Sequence, residues 1–98
     1  MSYTVYGLRL KGDREPRYVG ITWRGVEYRL RRHFSYSRGR TGRLSEWLNA
    51  NRDKIEPFRI AETDDREVAK ATEKLAIATL IAAGQRLLNQ AHVPGNAA

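Results

Sequence analysis

Residues 18–34, YVGITWRGVEYRLRRHF, decide how the chain is read. Tyr18 to Thr22 has strand composition, and Gly20 sits where a bulge or a close backbone approach is useful. A helix pattern follows from about Arg24 to Ser35, in which Val26, Leu30 and Phe34 form an apolar stripe at a spacing of four. Arg29 and His33 have the same spacing, so both project along the edge of that stripe, one turn apart. A strand-end tyrosine, a glycine and an Arg/His pair in so short a segment resemble part of a phosphodiester-handling site. What the segment lacks is a metal-binding carboxylate.

Working outward, Tyr3 to Lys11 alternates as a strand, with Thr4, Tyr6, Leu8 and Leu10 on one face. Lys11 to Pro16 is a polar turn holding both Gly12 and Pro16, so Arg17 to Thr22 should return antiparallel to the first strand. Beyond the first helix, Ser35 to Thr41 is a basic loop, and Leu44, Trp47 and Leu48 give a second helix its packing face. Pro57 is expected to mark the start of a third strand, Phe58 to Ala61, with Phe58 and Ile60 on one face.

Thr63-Asp64-Asp65 reads as the start of the last helix, with Glu67 placed three residues after Asp64 as in a capping box. That helix should run to about Ala83 and stop at Gly84. Its second half, LAIATLIAA, is apolar on all sides, which predicts a buried central helix. Gln85 to Gln90 is expected to be a short extended or turn segment, and residues 91–98 a frayed tail. The order is β-β-α-α-β-α: an α+β fold with a small three-stranded antiparallel sheet flanked by helices, one domain over residues 3–90.

The chain has 98 residues and 41% hydrophobic content, enough for one modest core. It has no cysteine, which rules out disulfides and thiolate metal sites. The opening MSYTVYGLRL lacks the pattern of a signal peptide, and Leu75 to Ala83 is too short an apolar run to span a bilayer. A cytoplasmic protein, bacterial or phage-encoded, with no membrane partner is the expectation. The net charge is +7, and seven of the fourteen arginines fall between Arg24 and Arg43, with Glu27 the only acid among them. Concentrated arginine is the electrostatic footprint of a phosphate-backbone partner, although an acidic protein or a membrane surface could also meet it.

Glu73 stands out in the last helix, where Ala69, Ala76, Ile77 and Leu80 share its face. A carboxylate in an apolar stripe requires a cation or hydrogen-bond donors. Two readings are open: an internal ion pair, for example with Arg29, or a metal ligand. One carboxylate suffices for Mg²⁺ when waters and a substrate phosphate complete the octahedron. Arg29 could brace a phosphate with its fork of donors, or simply be solvated beside Arg24, Arg31 and Arg32. His33 could transfer a proton or hold a tyrosine hydroxyl. Tyr6 and Tyr18, on paired strands, by default belong to the core with tethered hydroxyls. A phenol acts as a base near neutral pH only if neighbours lower its pKa or take its proton onward.

Thr4-Val5-Tyr6 followed by Tyr18-Val19-Gly20 resembles the paired signature of the GIY-YIG nuclease superfamily. Thr4 stands at the first glycine of that signature, and valines stand at both isoleucines. The resemblance continues in order through Arg29, His33, Glu73 and Asn89, and covers residues 3–90. It implies an endonuclease that hydrolyses DNA phosphodiester bonds, by nicking or double-strand cleavage, with one divalent metal ion, Mg²⁺ or Mn²⁺. Under that resemblance Glu73 holds the metal, and Arg29 stabilises charge on phosphorus. Tyr6 is the candidate base or relay assisted by His33, Tyr18 orients water or substrate, and Asn89 positions the phosphate or supports the site. A non-catalytic nucleic-acid-binding module on the same fold is the alternative.

Trp23 could stack on a base or pack on the first helix, while Arg24, Arg32, Arg38, Arg40 and Arg43 could follow a phosphate backbone. The expected partner is DNA, double-stranded or branched. With no separate reader domain in the sequence, selectivity is expected to be low, or to come from loops, from a homodimer or from a protein partner.

Overall fold

In a computed structural model, which describes residues 1–89, the elements run β1 (Tyr3–Leu10), β2 (Tyr18–Thr22), α1 (Val26–Ser37), α2 (Arg43–Ala50), β3 (Ile55–Thr63) and α3 (Arg66–Ala82). The three strands form one antiparallel sheet in the order β2-β1-β3. The chain is therefore the α+β fold in the β-β-α-α-β-α order that its sequence predicts. The expected tail, residues 91–98, lies outside the described residues, as does Gln90.

Strand alternation sorts the side chains into two cores. Val5 and Val19 point to one face and pack with Ala69 and Ile77 of α3 and with Leu87. Tyr6 and Leu8 point to the other, and pack with Val26 of α1, Leu48 of α2 and Ile55. Tyr18, Leu30, Phe34, Leu44 and Trp47 complete that second core from its margin. The sheet is thus a middle layer, with α1 and α2 on one side and α3 on the other. The sequence-predicted stripe of Leu30 and Phe34 seals the side on which Tyr6 lies.

Several boundaries move for identifiable reasons. The first helix starts at Val26 because Gly25 adopts φ 97°, left-handed backbone that cannot continue into a helix. It runs two residues beyond Ser35, to a buried Ser37 whose hydroxyl lies within hydrogen-bond reach of Phe34 O (3.1 Å) and Asn49 Oδ1 (3.0 Å). Asn49 Nδ2 returns a bond to Ser37 O (2.9 Å), which ties the end of α1 to α2. Pro57 lies inside β3 and not ahead of it. Only one side of β3 is paired, so a residue without an N–H is tolerated there. The sheet's irregularity falls opposite Val5/Tyr6 in the β1–β3 pairing, not at Gly20.

Asp65 caps α3, accepting from the N–H groups of Glu67 (2.8 Å) and Val68 (3.3 Å). Glu67 is therefore at the second helical position, one short of closing a capping box. Gly84, at φ 90°, ends the helix as expected. The expectation of a buried central helix fails. The sheet covers α3 on one side only, so Ala69 and Ile77 are buried whereas Leu75 is 68% exposed. Leu75, Ala76 and Leu80 instead wall an open apolar groove against Phe58 and Ile60 of β3. The all-round apolar pattern arose because short alanines, which can face either water or core, fill the positions between the larger side chains.

Candidate active site

Tyr6 and Tyr18 meet because β1 and β2 pair with Tyr6 opposite Gly20 and Leu8 opposite Tyr18. Gly20 is needed at this point. A Cβ there would lie 2.8 Å from the Tyr6 hydroxyl and 2.9 Å from Tyr18 Cε2. The missing side chain leaves the space that the two phenols occupy, with ring centroids 6.3 Å apart. Gly20 thus serves the close-approach role that its place in the strand suggests.

His33 enters this space from α1. Its Nε2 lies 2.8 Å from the Tyr6 hydroxyl, and its ring stands edge-on to Tyr18 at 5.1 Å. Tyr6 and His33 are both buried, so this bond satisfies two polar groups taken largely out of solvent. Burial, and then the positive charge of Arg29, push the His33 imidazole down to a pKa of about 4. Burial also raises the Tyr6 phenol well above the ordinary tyrosine value, helped by the neighbouring Tyr18 and Glu73 and opposed by Arg29. Near neutral pH both partners are uncharged, and the bond is met when Tyr6 O–H donates to Nε2, with the ring proton on Nδ1.

Arg29, one turn before His33 on α1, acts on both tyrosines through its positive charge, which opposes the upward shift of each phenol. Glu73, from α3, bears on the same two phenols: its negative charge raises both. Tyr18 is raised chiefly by burial, with Arg29 opposing and Glu73 adding. Five sequence-predicted residues from four elements, Tyr6, Tyr18, Arg29, His33 and Glu73, therefore act on one another around one locus.

Asn89 lies apart from these five. Its Oδ1 accepts from Val19 N–H (2.9 Å) and its Nδ2 donates to Val19 O (2.5 Å), both buried. Leu88 N–H adds a bond to Arg17 O (2.6 Å). The segment after α3 thus pairs with the outer edge of β2, and a side-chain amide takes the place of a strand partner. Asn89 thereby holds the residue between Tyr18 and Gly20, with both polar atoms of its amide bonded to that backbone.

Among the described residues, no group of three or more His, Asp or Glu side chains converges as a metal cage. Among the five residues of this locus, Glu73 is the carboxylate on which a metal would rest. This donor set fits a hard divalent ion that keeps most of its waters and takes further oxygens from a phosphate. It does not fit a tetrahedral site of nitrogen and sulfur ligands.

The basic residues divide. Trp23, Arg24 and Arg32 line a hollow that Arg29 also borders, and Arg32, Arg38 and Arg40 line a second. Trp23 is 53% exposed, so about half of its surface faces solvent. Arg43, in the first turn of α2, borders neither hollow. Two side chains that the sequence did not single out join these surfaces. Tyr28 lines the first hollow and Tyr36 the second. Their signal was available: Tyr28, Arg32 and Tyr36 recur at a spacing of four beside Arg29 and His33. No helix among the described residues is long and apolar enough to cross a membrane.

Comparison with protein families gives a match to the GIY-YIG catalytic domain over residues 2–86. Comparison with curated proteins and with solved structures gave no match.

Proposed function

The chain belongs to the GIY-YIG catalytic domain family, a family of nucleases, and on that premise we propose that it is a metal-dependent endonuclease hydrolysing DNA phosphodiester bonds. The observation that carries this reading is the 2.8 Å pairing of Tyr6 with a neutral His33 beside Arg29 and Glu73. A buried tyrosine with a raised pKa is a poor base on its own. With an uncharged imidazole as its partner it becomes a relay. Tyr6 takes a proton from the attacking water as its own proton passes to His33 Nε2, so no phenolate has to persist in the buried site.

Arg29 presents a planar cation to the same place. Its fork of donors suits the non-bridging oxygens of a phosphate, where it stabilises the charge that builds in the transition state. Glu73 would hold the divalent ion, Mg²⁺ or Mn²⁺, and Lewis-acid stabilisation of the phosphate and the departing oxygen is the chemistry an ion held there supplies. Tyr18, in edge contact with His33, keeps the imidazole facing Tyr6 and offers its hydroxyl to water or substrate. Asn89 acts at one remove, by fixing Val19 between Tyr18 and Gly20. Trp23, Arg24, Arg32, Arg38, Arg40 and Arg43 would contact the nucleic acid. Any sequence selectivity would come from loops, from a second copy of the chain or from a protein partner.

Nicking of supercoiled plasmid in Mg²⁺ or Mn²⁺ tests this reading. Conversion to open circles is expected with the wild type, and none with EDTA or with Glu73→Ala. Wild type that leaves the plasmid intact yet binds it equally well without metal would instead identify a binding module on the nuclease fold.

A further inference from the structure

Helix α1 carries two parallel rows offset by one residue. Arg29, His33 and Ser37 form the inner row, in which His33 and Ser37 are buried. Tyr28, Arg32 and Tyr36 form the outer row, with Arg32 and Tyr36 exposed. The outer row spans roughly 12 Å along the helix axis at 1.5 Å per residue. Two hollows open along it, of ≈ 390 Å³ and ≈ 310 Å³. Arg32 borders both, and Arg29 of the inner row borders the first, so the surface leads into the proposed site.

Each hollow pairs an exposed aromatic ring with a guanidinium. Arg24 lies 4.6 Å over the Trp23 ring, and its Nη1 donates to the Tyr28 hydroxyl (3.1 Å), which holds it there. Arg40 lies 4.0 Å over the ring of Tyr36, which is 66% exposed. A duplex conceals its base faces in the stack and asks of a protein mainly cations for its phosphates. Exposed aromatic faces, each backed by a guanidinium and set between further arginines, match unpaired bases, which can stack while the cations follow the backbone.

We propose that the outer face of α1 is a track for single-stranded DNA. Unpaired nucleotides beside the scissile phosphate stack on Trp23 and Tyr36, and Arg24, Arg32, Arg38 and Arg40 follow their phosphates toward Arg29. This rests on the nuclease reading above and narrows its substrate from DNA in general to single strands or the unpaired arms of branched DNA.

The test is binding of the whole chain, in EDTA, to a fluorescein-labelled oligothymidine and to a hairpin duplex with the same number of phosphates. Fluorescence anisotropy should show the single strand bound at least about 10-fold more tightly at equal salt. Trp23→Ala and Tyr36→Ala should each weaken that binding about 5- to 100-fold without changing its salt dependence, and Trp23→Phe should restore most of the loss. Arg32→Gln should reduce the salt slope for both ligands. Equal or tighter duplex binding, or aromatic variants that bind oligothymidine like the wild type, would overturn the proposal. Because no turnover is needed, the two readings separate. Single-strand binding as stated, with no strand cut in Mg²⁺, leaves the track standing and removes the nuclease; plasmid nicking without single-strand preference does the reverse.

Discussion

The Tyr6 hydroxyl and His33 Nε2 lie 2.8 Å apart inside the core, joining a central strand to a helix 27 residues further along the chain. Each depends on the other. Unpaired, either group would be a buried polar atom costing about 1–3 kcal/mol. Arg29 bears electrostatically on both partners and Glu73 on the phenol, so this bond lies within the field of two charged side chains.

The lowered His33 pKa gives stability a pH dependence. In the unfolded chain this imidazole takes up a proton near its ordinary value of 6.5, and in the folded chain not until about 4. Between these values the unfolded state binds more protons, so acidification favours unfolding. The His33 contribution is fully present above pH 6.5 and is lost progressively as pH falls toward 4. At most about 3 kcal/mol follows from that interval. Urea midpoints at about pH 7 and about pH 5 should diverge more for wild type than for His33→Phe. Equal divergence would show that His33 is not a buried neutral imidazole.

Gly20→Ala should damage the site more than the fold. The new methyl meets the Tyr6 hydroxyl at 2.8 Å and Tyr18 Cε2 at 2.9 Å, and relief requires one phenol to move. Overpacking of this kind costs about 1–3 kcal/mol, which a melting curve will register as a modest shift. A displaced Tyr6 loses its bond to His33, and cleavage should drop by about 100-fold. Wild-type cleavage from a folded Gly20→Ala protein would separate the tyrosine geometry from the chemistry.

Asn89→Ala should lower stability by about 2–4 kcal/mol, because it strips both partners from the buried N–H and C=O of Val19. Asn89→Asp keeps the acceptor but puts a charge where Val19 O needs a donor, so it should rescue little. Urea unfolding of the two variants beside wild type is the measurement. Unchanged midpoints with lost cleavage would move Asn89 from a supporting role to one at the phosphate.

The parts of the fold that could be read from the sequence were those written in local chemistry. Strand alternation placed Tyr6 and Leu8 on one face, Gly84 ended α3, and a spacing of four put Arg29 and His33 together. What depended on the layer arrangement was less legible. The apolar run of α3 predicted burial on all sides, whereas only one sheet lies against it and Leu75 faces water. Pro57 signals a strand boundary in isolation, and only the edge position of β3 makes it compatible with strand. Likewise, the resemblance singles out Asn89 but leaves open whether it meets a phosphate or supports the site. That its amide would complete the edge of β2 depends on where the chain goes after α3, which no local pattern encodes. Tyr36 is marked in the sequence only by its spacing, because an exposed aromatic gains meaning only beside the guanidinium that covers it.

The proton relay at Tyr6 and His33 is most directly tested by single-turnover cleavage of one labelled DNA strand in Mg²⁺ by wild type, Tyr6→Phe, His33→Phe and the double variant, each confirmed folded by circular dichroism. Each single substitution should slow cleavage by roughly 10²- to 10⁴-fold. The double variant should be little slower than either, since the two side chains act as one unit. Cleavage by Tyr6→Phe at the wild-type rate, or losses that multiply in the double variant, would contradict the relay.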